Sequence, residues 1–169
     1  MAGVAVKVLT GQVLARLQGL EERGENLSGL MRSFGEYMKG SIQKNFDAQG
    51  RPVKWAPISF GTKVAWHTKR RSYWTKKDKM SKKGKAAWSG RLVLTDTGRL
   101  RRSIYATAGG DSLTLGTNVI YAALHQFGGQ AGRGKKIFIP ARPYLLFQPE
   151  DLERFHKMLV NYLLAGRLV

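Results

Sequence analysis

The chain has 169 residues, 29 Lys and Arg against 11 Asp and Glu, a formal net charge of +18, no cysteine and 43% hydrophobic residues. That length suits a single domain, 1–169, with an ample core, and the hydrophobic share excludes wholesale disorder. The missing cysteines exclude a disulfide scaffold, a thiolate zinc site, an iron–sulfur cluster and a cysteine nucleophile.

The opening MAGVAVKVLTGQVLARL is too short and too polar for a signal peptide. The longest uncharged stretch, 112–132, holds Asn118, His125, Gln126 and several Gly and Thr, unlike a membrane span. The expectation is a soluble, cytoplasmically made protein with no membrane partner.

The charge is local. Residues 48–149 hold 20 basic and three acidic residues, whereas the two ends together hold nine and eight. Eleven of the basic residues fall between Pro57 and Val93, opposed only by Asp78. Such a block points to a polyanion or an acidic partner surface; its plain alternative is a solvated loop.

In chain order, Val13, Leu14, Leu17 and Leu20 recur at helical spacing until Gly24 interrupts. From Leu27 the series Leu30, Met31, Phe34, Met38, Ile42 and Phe46 predicts an amphipathic helix, capped by Asn26 and stopped by Gln49-Gly50 and Pro52. Both stripes read as core. Arg51 to Ile58 is extended, because its two prolines fit neither a helix interior nor a central strand.

The basic segment that follows has no sustained period, yet carries Trp66, Tyr73, Trp74 and Trp88. It reads as an arm, 57–93, in the form of a long loop or hairpin that becomes ordered when it meets something. Lys69, Arg70, Arg71, Lys76, Lys77, Lys79, Lys82, Lys83 and Lys85 would hold phosphates or acidic side chains, with Trp74 and Trp88 available for stacking.

Thr95-Asp96-Thr97-Gly98 resembles a helix start, followed by a short turn from Arg99 to Arg102. Residues 104–117 read as a β-hairpin whose Gly109-Gly110 would take positive φ in a tight turn. Val119 to Phe127 is a short helix ended by Gly128-Gly129, and Ile137 to Leu145 is an extended edge confined by Pro140 and Pro143. The last helix starts at Pro149 and presents Leu152, Phe155, Leu159, Tyr162 and Leu163 on one face. The fold class is α+β: a small antiparallel sheet packed with N-terminal and C-terminal amphipathic helices, plus the basic arm.

Motifs for catalysis are weak. Gly129 to Lys136 matches the spacing of a phosphate loop, but Lys136 stands where Ser or Thr would hold magnesium, and no helix follows. The segment reads instead as a flexible glycine-rich turn. His67, His125 and His156 are too scattered for a metal site, and the three acids of the middle of the chain cannot form a two-metal centre. No enzyme activity, cofactor or metal is expected.

Four stretches in order carry a family resemblance. They are Asn45-Phe46 with Arg51-Pro-Val-Lys-Trp55-Ala-Pro57, then Leu94-Thr-Asp-Thr97-Gly98-Arg-Leu100-Arg-Arg-Ser103-Ile104. Asn118-Val-Ile-Tyr121-Ala122-Ala-Leu-His125-Gln-Phe-Gly128 and Ile139-Pro140-Ala-Arg142-Pro143-Tyr144-Leu145 complete the set, followed by the final helix. The pattern resembles the phage virion morphogenesis (tail completion) proteins, the Mu-like G protein group.

The resemblance implies a structural virion protein in a homo-oligomeric ring at the neck, a hexamer rather than a dodecamer, beside head–tail connector and tail tube proteins and in possible contact with packaged DNA. It would occupy the neck or head-proximal tail end of the virion, and the host cytoplasm during assembly. It also implies that Thr97 and Gly98 start the short helix before Ser103 and Ile104, and that Tyr121, Ala122 and His125 pack the next helix onto the sheet. Pro140, Arg142 and Pro143 would fix an edge, with Arg142 free for an intersubunit carboxylate. A free nucleic-acid-binding protein is the competing reading of the same charge.

Overall fold

A computed structural model of the chain describes residues 10–59, 62, 71–75, 77 and 79–166. Its helices are α1 (Thr10–Glu25), α2 (Ser28–Asp47), α3 (Lys82–Ser89), α4 (Arg99–Arg102), α5 (Ala122–Phe127) and α6 (Pro149–Ala165). Its strands are β1 (Ile104–Ala108), β2 (Leu113–Thr117), β3 (Gly129–Ala131) and β4 (Ile137–Ile139), and 3-10 turns lie at Arg71–Tyr73 and Arg133–Lys135. The class is α+β as predicted, with the strands in two two-stranded sheets, β1–β2 and β3–β4.

The chain divides into two compact units. The first comprises Met1–Met38, Ala106–Thr114 and Pro149–Val169; the second comprises Lys39–Tyr105 and Leu115–Gln148. In the first, Leu30, Met31, Phe34 and Met38 of α2 are buried together with Met158 of α6, and the Phe34 and Phe155 rings lie 4.8 Å apart. Asn26 caps α2 as expected, its Oδ1 accepting from Ser28 N at 3.2 Å. Near the ends of α1 and α6, Arg23 Nε donates to Leu163 O at 2.8 Å and Tyr162 Oη donates to Asn26 O at 2.7 Å.

Two apolar stripes are rotated from expectation. Leu14 and Leu17 of α1 are exposed rather than core, and so is Leu152 of α6. On α6 the buried positions are Asp151 and Met158. Asp151, in the first turn of α6, is fully buried and hydrogen-bonded by Tyr37. That bond replaces water at the carboxylate and lets an acid take a place an apolar side chain would normally fill.

The second unit is built on the last turns of α2. Ile42 and Phe46 pack with Trp55, Leu100, Ile104, Val119, Ala122 and Tyr144 in one cluster. Helix α2 stops where predicted. Gly50 N bonds Asn45 O at 2.9 Å and Gly50 has φ +107, with space for no Cβ, which would meet Val53 O at 2.5 Å.

Gly109 and Gly110 do not take the predicted positive φ. Four residues, not two, connect β1 to β2, closed by Gly109 N donating to Ser112 O at 2.7 Å, so no mirror-image turn is required. The 129–136 segment is not a loose turn either. Gly129, Gln130 and Ala131 pair with Ile139, Phe138 and Ile137 in an antiparallel ladder. Short strands flanked by glycine leave too little alternation to be read from sequence. The predicted helix over 119–127 begins only at Ala122, after a turn closed by Ala122 N on Val119 O at 3.0 Å.

Candidate interaction site

Within the second unit, residues distant in sequence are tied together by a polar frame around the aromatic cluster. Asn45, fully buried, donates through Nδ2 to Tyr144 O at 2.9 Å and accepts from Arg51 Nε at 2.9 Å. Arg51 also donates to Ser41 O at 2.9 Å. The Trp55 indole donates to Pro143 O at 2.9 Å, and its ring meets Phe46 edge-on at 5.6 Å. Gln126 closes the other side, its Oε1 accepting from Tyr144 N and Leu145 N at 3.0 Å each while Nε2 donates to Leu145 O at 3.0 Å.

Arg142 is part of this frame, which corrects the expectation that it is free for a neighbouring subunit. It is 7% exposed, and Nε and Nη2 donate to Ala56 O and Pro57 O at 2.9 Å each. A guanidinium aimed at two carbonyls ties the 56–57 segment to the 137–145 stretch. Burial lowers its pKa, and burial followed by the adjacent Arg142 charge lowers that of His125. Burial pushes the Tyr144 phenol up to about 12.

Beside this frame lies a cavity of about 550 Å³. Leu92, Val93, Leu94 and Leu100 line it together with Ile137, Phe138, Ile139 and Pro140, and its polar groups include Arg91, Asp96, Arg99, Tyr121, His125 and Arg142. His125 and Tyr121 meet edge-on at 5.7 Å. An apolar concavity with a few polar groups can hold apolar side chains and fix their orientation. Four large apolar residues nearby in sequence, Ile120, Phe127, Ile137 and Phe138, are more than half exposed. Tyr121, expected to pack inward, is 41% exposed, while Ala122 is buried. Among the described residues no group of three or more His, Asp or Glu side chains could hold a metal ion.

The other motif residues have defined places. Gly98 precedes α4 with φ +70, Thr97 Oγ1 accepts from Arg99 N at 3.3 Å, and Leu100 is buried. Ser103 Oγ pairs with Thr117 Oγ1 at 2.5 Å beside the buried Ile104. Gly128, φ +73, ends α5 with no room for a Cβ, which would meet Ala141 N at 2.7 Å. Pro140 follows β4 and lines the cavity.

Of the arm, Lys69, Arg70 and Lys76 lie outside the described residues, as do Trp66, His67 and Asp78. The described part is folded rather than a loop or simple hairpin. Arg71 opens the 3-10 turn, Trp74 bridges to Met80, and Lys82, Lys83 and Lys85 ride on α3. Ser81 caps α3 by accepting from Gly84 N at 3.1 Å. Gly84 packs so close to the turn that a Cβ would meet Tyr73 O at 2.5 Å. Lys77, Lys79, Lys82, Lys83 and Lys85 are exposed. Trp88 is partly covered, with the Arg91 guanidinium 6.0 Å from its ring. An eight-residue helix carrying four polar or charged residues shows no apolar period, which hides it in the sequence.

The sequence reading gave no site role to Asn45, Arg51, Gln126, Arg91, Arg101 or Arg102. The run Arg99-Leu-Arg-Arg102 is the signal that could have marked the arginines; the buried amides have none, because burial is a tertiary property.

Residues 8–164 match the Phage virion morphogenesis family. The chain is also 34% identical over 140 residues, 83% of its length and 80% of the relative's, to the Mu-like prophage FluMu G protein 2 of Haemophilus influenzae. No solved structure matches.

Proposed function

Because the chain belongs to the Phage virion morphogenesis family, we propose that it is a structural protein of a tailed-phage particle, acting in head–tail joining or tail completion as a ring at the neck. In this reading it is a tail terminator or a connector layer, six copies close the ring, and it performs no catalysis. The observation that carries it is the match over most of the chain to proteins of virion morphogenesis.

The surfaces support it physically. The apolar cavity and the exposed Ile120, Phe127, Ile137 and Phe138 are suited to burial against neighbouring protein, since aromatic and aliphatic anchors dominate such contacts. The exposed lysines of the arm would face packaged DNA or an acidic face of an adjoining ring.

Electron microscopy of a lysate from phage lacking the gene tests the proposal. Filled heads beside separate tails of normal length are expected for a joining protein, and overlong tails for a terminator. Intact infectious particles would refute any neck role. A second reading, a free nucleic-acid-binding protein, draws on the charge of the second unit, which holds 22 basic and three acidic residues. It predicts that gene loss leaves particle assembly unchanged.

A further inference from the structure

We propose that a groove beside α4, lined by Arg91, Arg101 and Arg102, binds the phosphodiester backbone of nucleic acid. The groove has a volume of about 620 Å³ and lies within the second unit; Arg91 comes from the end of the arm, and Arg101 and Arg102 lie beyond it. Each guanidinium is held from one side. Arg91 Nη2 pairs with Asp96 at 3.0 Å, Arg101 Nη1 pairs with Asp47 at 2.7 Å, and Arg102 Nη2 donates to Thr97 O at 2.9 Å. Gln43 Oε1 accepts from Arg101 Nε and fixes that side chain further. Three cations thus line a groove with a single lining carboxylate, Asp96.

Arg102 lies close over Gly98. Gly98 has φ +70, and a Cβ on it would come within 2.6 Å of Arg102 Nη1. The guanidinium therefore lies close against a peptide that only glycine leaves uncovered. Oriented guanidiniums match the groups that contact phosphate oxygens.

The lining favours nucleic acid over an acidic protein. It is dominated by charged, hydroxyl and glycine residues, with Leu92 its one large apolar side chain, and has no aromatic anchor of the kind that centres a protein interface. The adjoining apolar cavity shares Arg91, Leu92, Asp96, Thr97 and Gly98 with the groove, and its further lining of Ile137, Phe138 and Pro140 holds the apolar anchors. The excess of cations in this unit supplies the long-range attraction that brings a polyanion to the groove.

This inference goes beyond the neck reading, and its test needs no particles. Binding of the full chain to a short random-sequence DNA duplex is followed by fluorescence anisotropy from about 50 to 200 mM salt. The wild-type chain is expected to bind with log K falling linearly with log salt. Each phosphate contact contributes about 0.9 to that slope, so Arg101→Gln/Arg102→Gln should make it shallower by about 2. Because Arg101 also has structural partners, Arg102→Gln alone is the variant that preserves the fold, with an expected change of about 1 and an unchanged near-ultraviolet spectrum.

Arg102→Lys should restore most of the slope. An unchanged slope in Arg102→Gln, or no duplex binding by the wild type at low salt, overturns the proposal. So does arginine-dependent binding of polyglutamate without binding of the duplex, which would make the groove a protein-docking site.

Discussion

Gln126 commits its whole side-chain amide to one neighbouring segment, accepting from two backbone N–H groups and donating to a carbonyl at Tyr144 and Leu145. Truncating it leaves three polar backbone groups without partners. Gln126→Ala is therefore expected to cost about 2 kcal/mol in chemical denaturation, whereas loss of an exposed glutamine costs almost nothing. A midpoint and slope equal to wild type would show that water replaces the amide. His125 gives a pH dependence of definite sign. Its pKa is held below the ordinary 6.5, first by burial and then by Arg142. The folded chain binds fewer protons than the unfolded chain below that value. The corresponding stability is complete above pH 6.5 and is lost as pH falls through the lowered folded value. His125→Gln should flatten the fall in Tm across this window; an equally steep fall would assign it to other groups.

At the scale of elements, α3 depends on a contact rather than on propensity. Gly84 is buried against Tyr73, and a methyl group there would strike Tyr73 O. Gly84→Ala raises helix propensity yet should separate α3 from the 3-10 turn, so amide exchange in 82–89 should accelerate at least tenfold while that of α2 is unchanged. Slower exchange in the variant would show that propensity outweighs the contact. The same contrast explains which elements were legible in the sequence. Helix α2 could be read from Leu30 to Phe46 because its stripe is long and its stop is written as Gln49-Gly50. β4 falls in the extended 137–145 stretch marked by its prolines, whereas β3 could not be read, since a three-residue strand between glycines has no pattern to detect. α1 and α6 were placed by periodicity, but periodicity does not fix which side is covered. Leu14, Leu17 and Leu152 remain outside while Asp151 goes in, because a tyrosine hydroxyl distant in sequence supplies its partner. The same limit applies to the candidate site. Arg142 was visible as a motif residue, but that its guanidinium serves Ala56 and Pro57 depends on a contact across more than 80 residues.

For the whole molecule, the division of charge is the main physical fact. The second unit carries a net +19, with 22 basic and three acidic residues, whereas the first holds seven basic and eight acidic residues. The concentration of basic residues in the middle of the sequence anticipated much of this. What it left out is that the charge takes two forms, exposed lysines on and around α3 and oriented arginines beside α4. The first unit's near-neutral balance leaves the second to carry any contact with a polyanion, while the apolar cavity and the exposed Phe127 and Phe138 are suited to neighbouring protein. The proposed position can be checked by cryo-electron microscopy of the intact phage, reconstructed at the head–tail junction. A ring of six copies of this chain is expected at the head-proximal end of the tail. Purified infectious particles that contain no copy of the chain at that junction would contradict it.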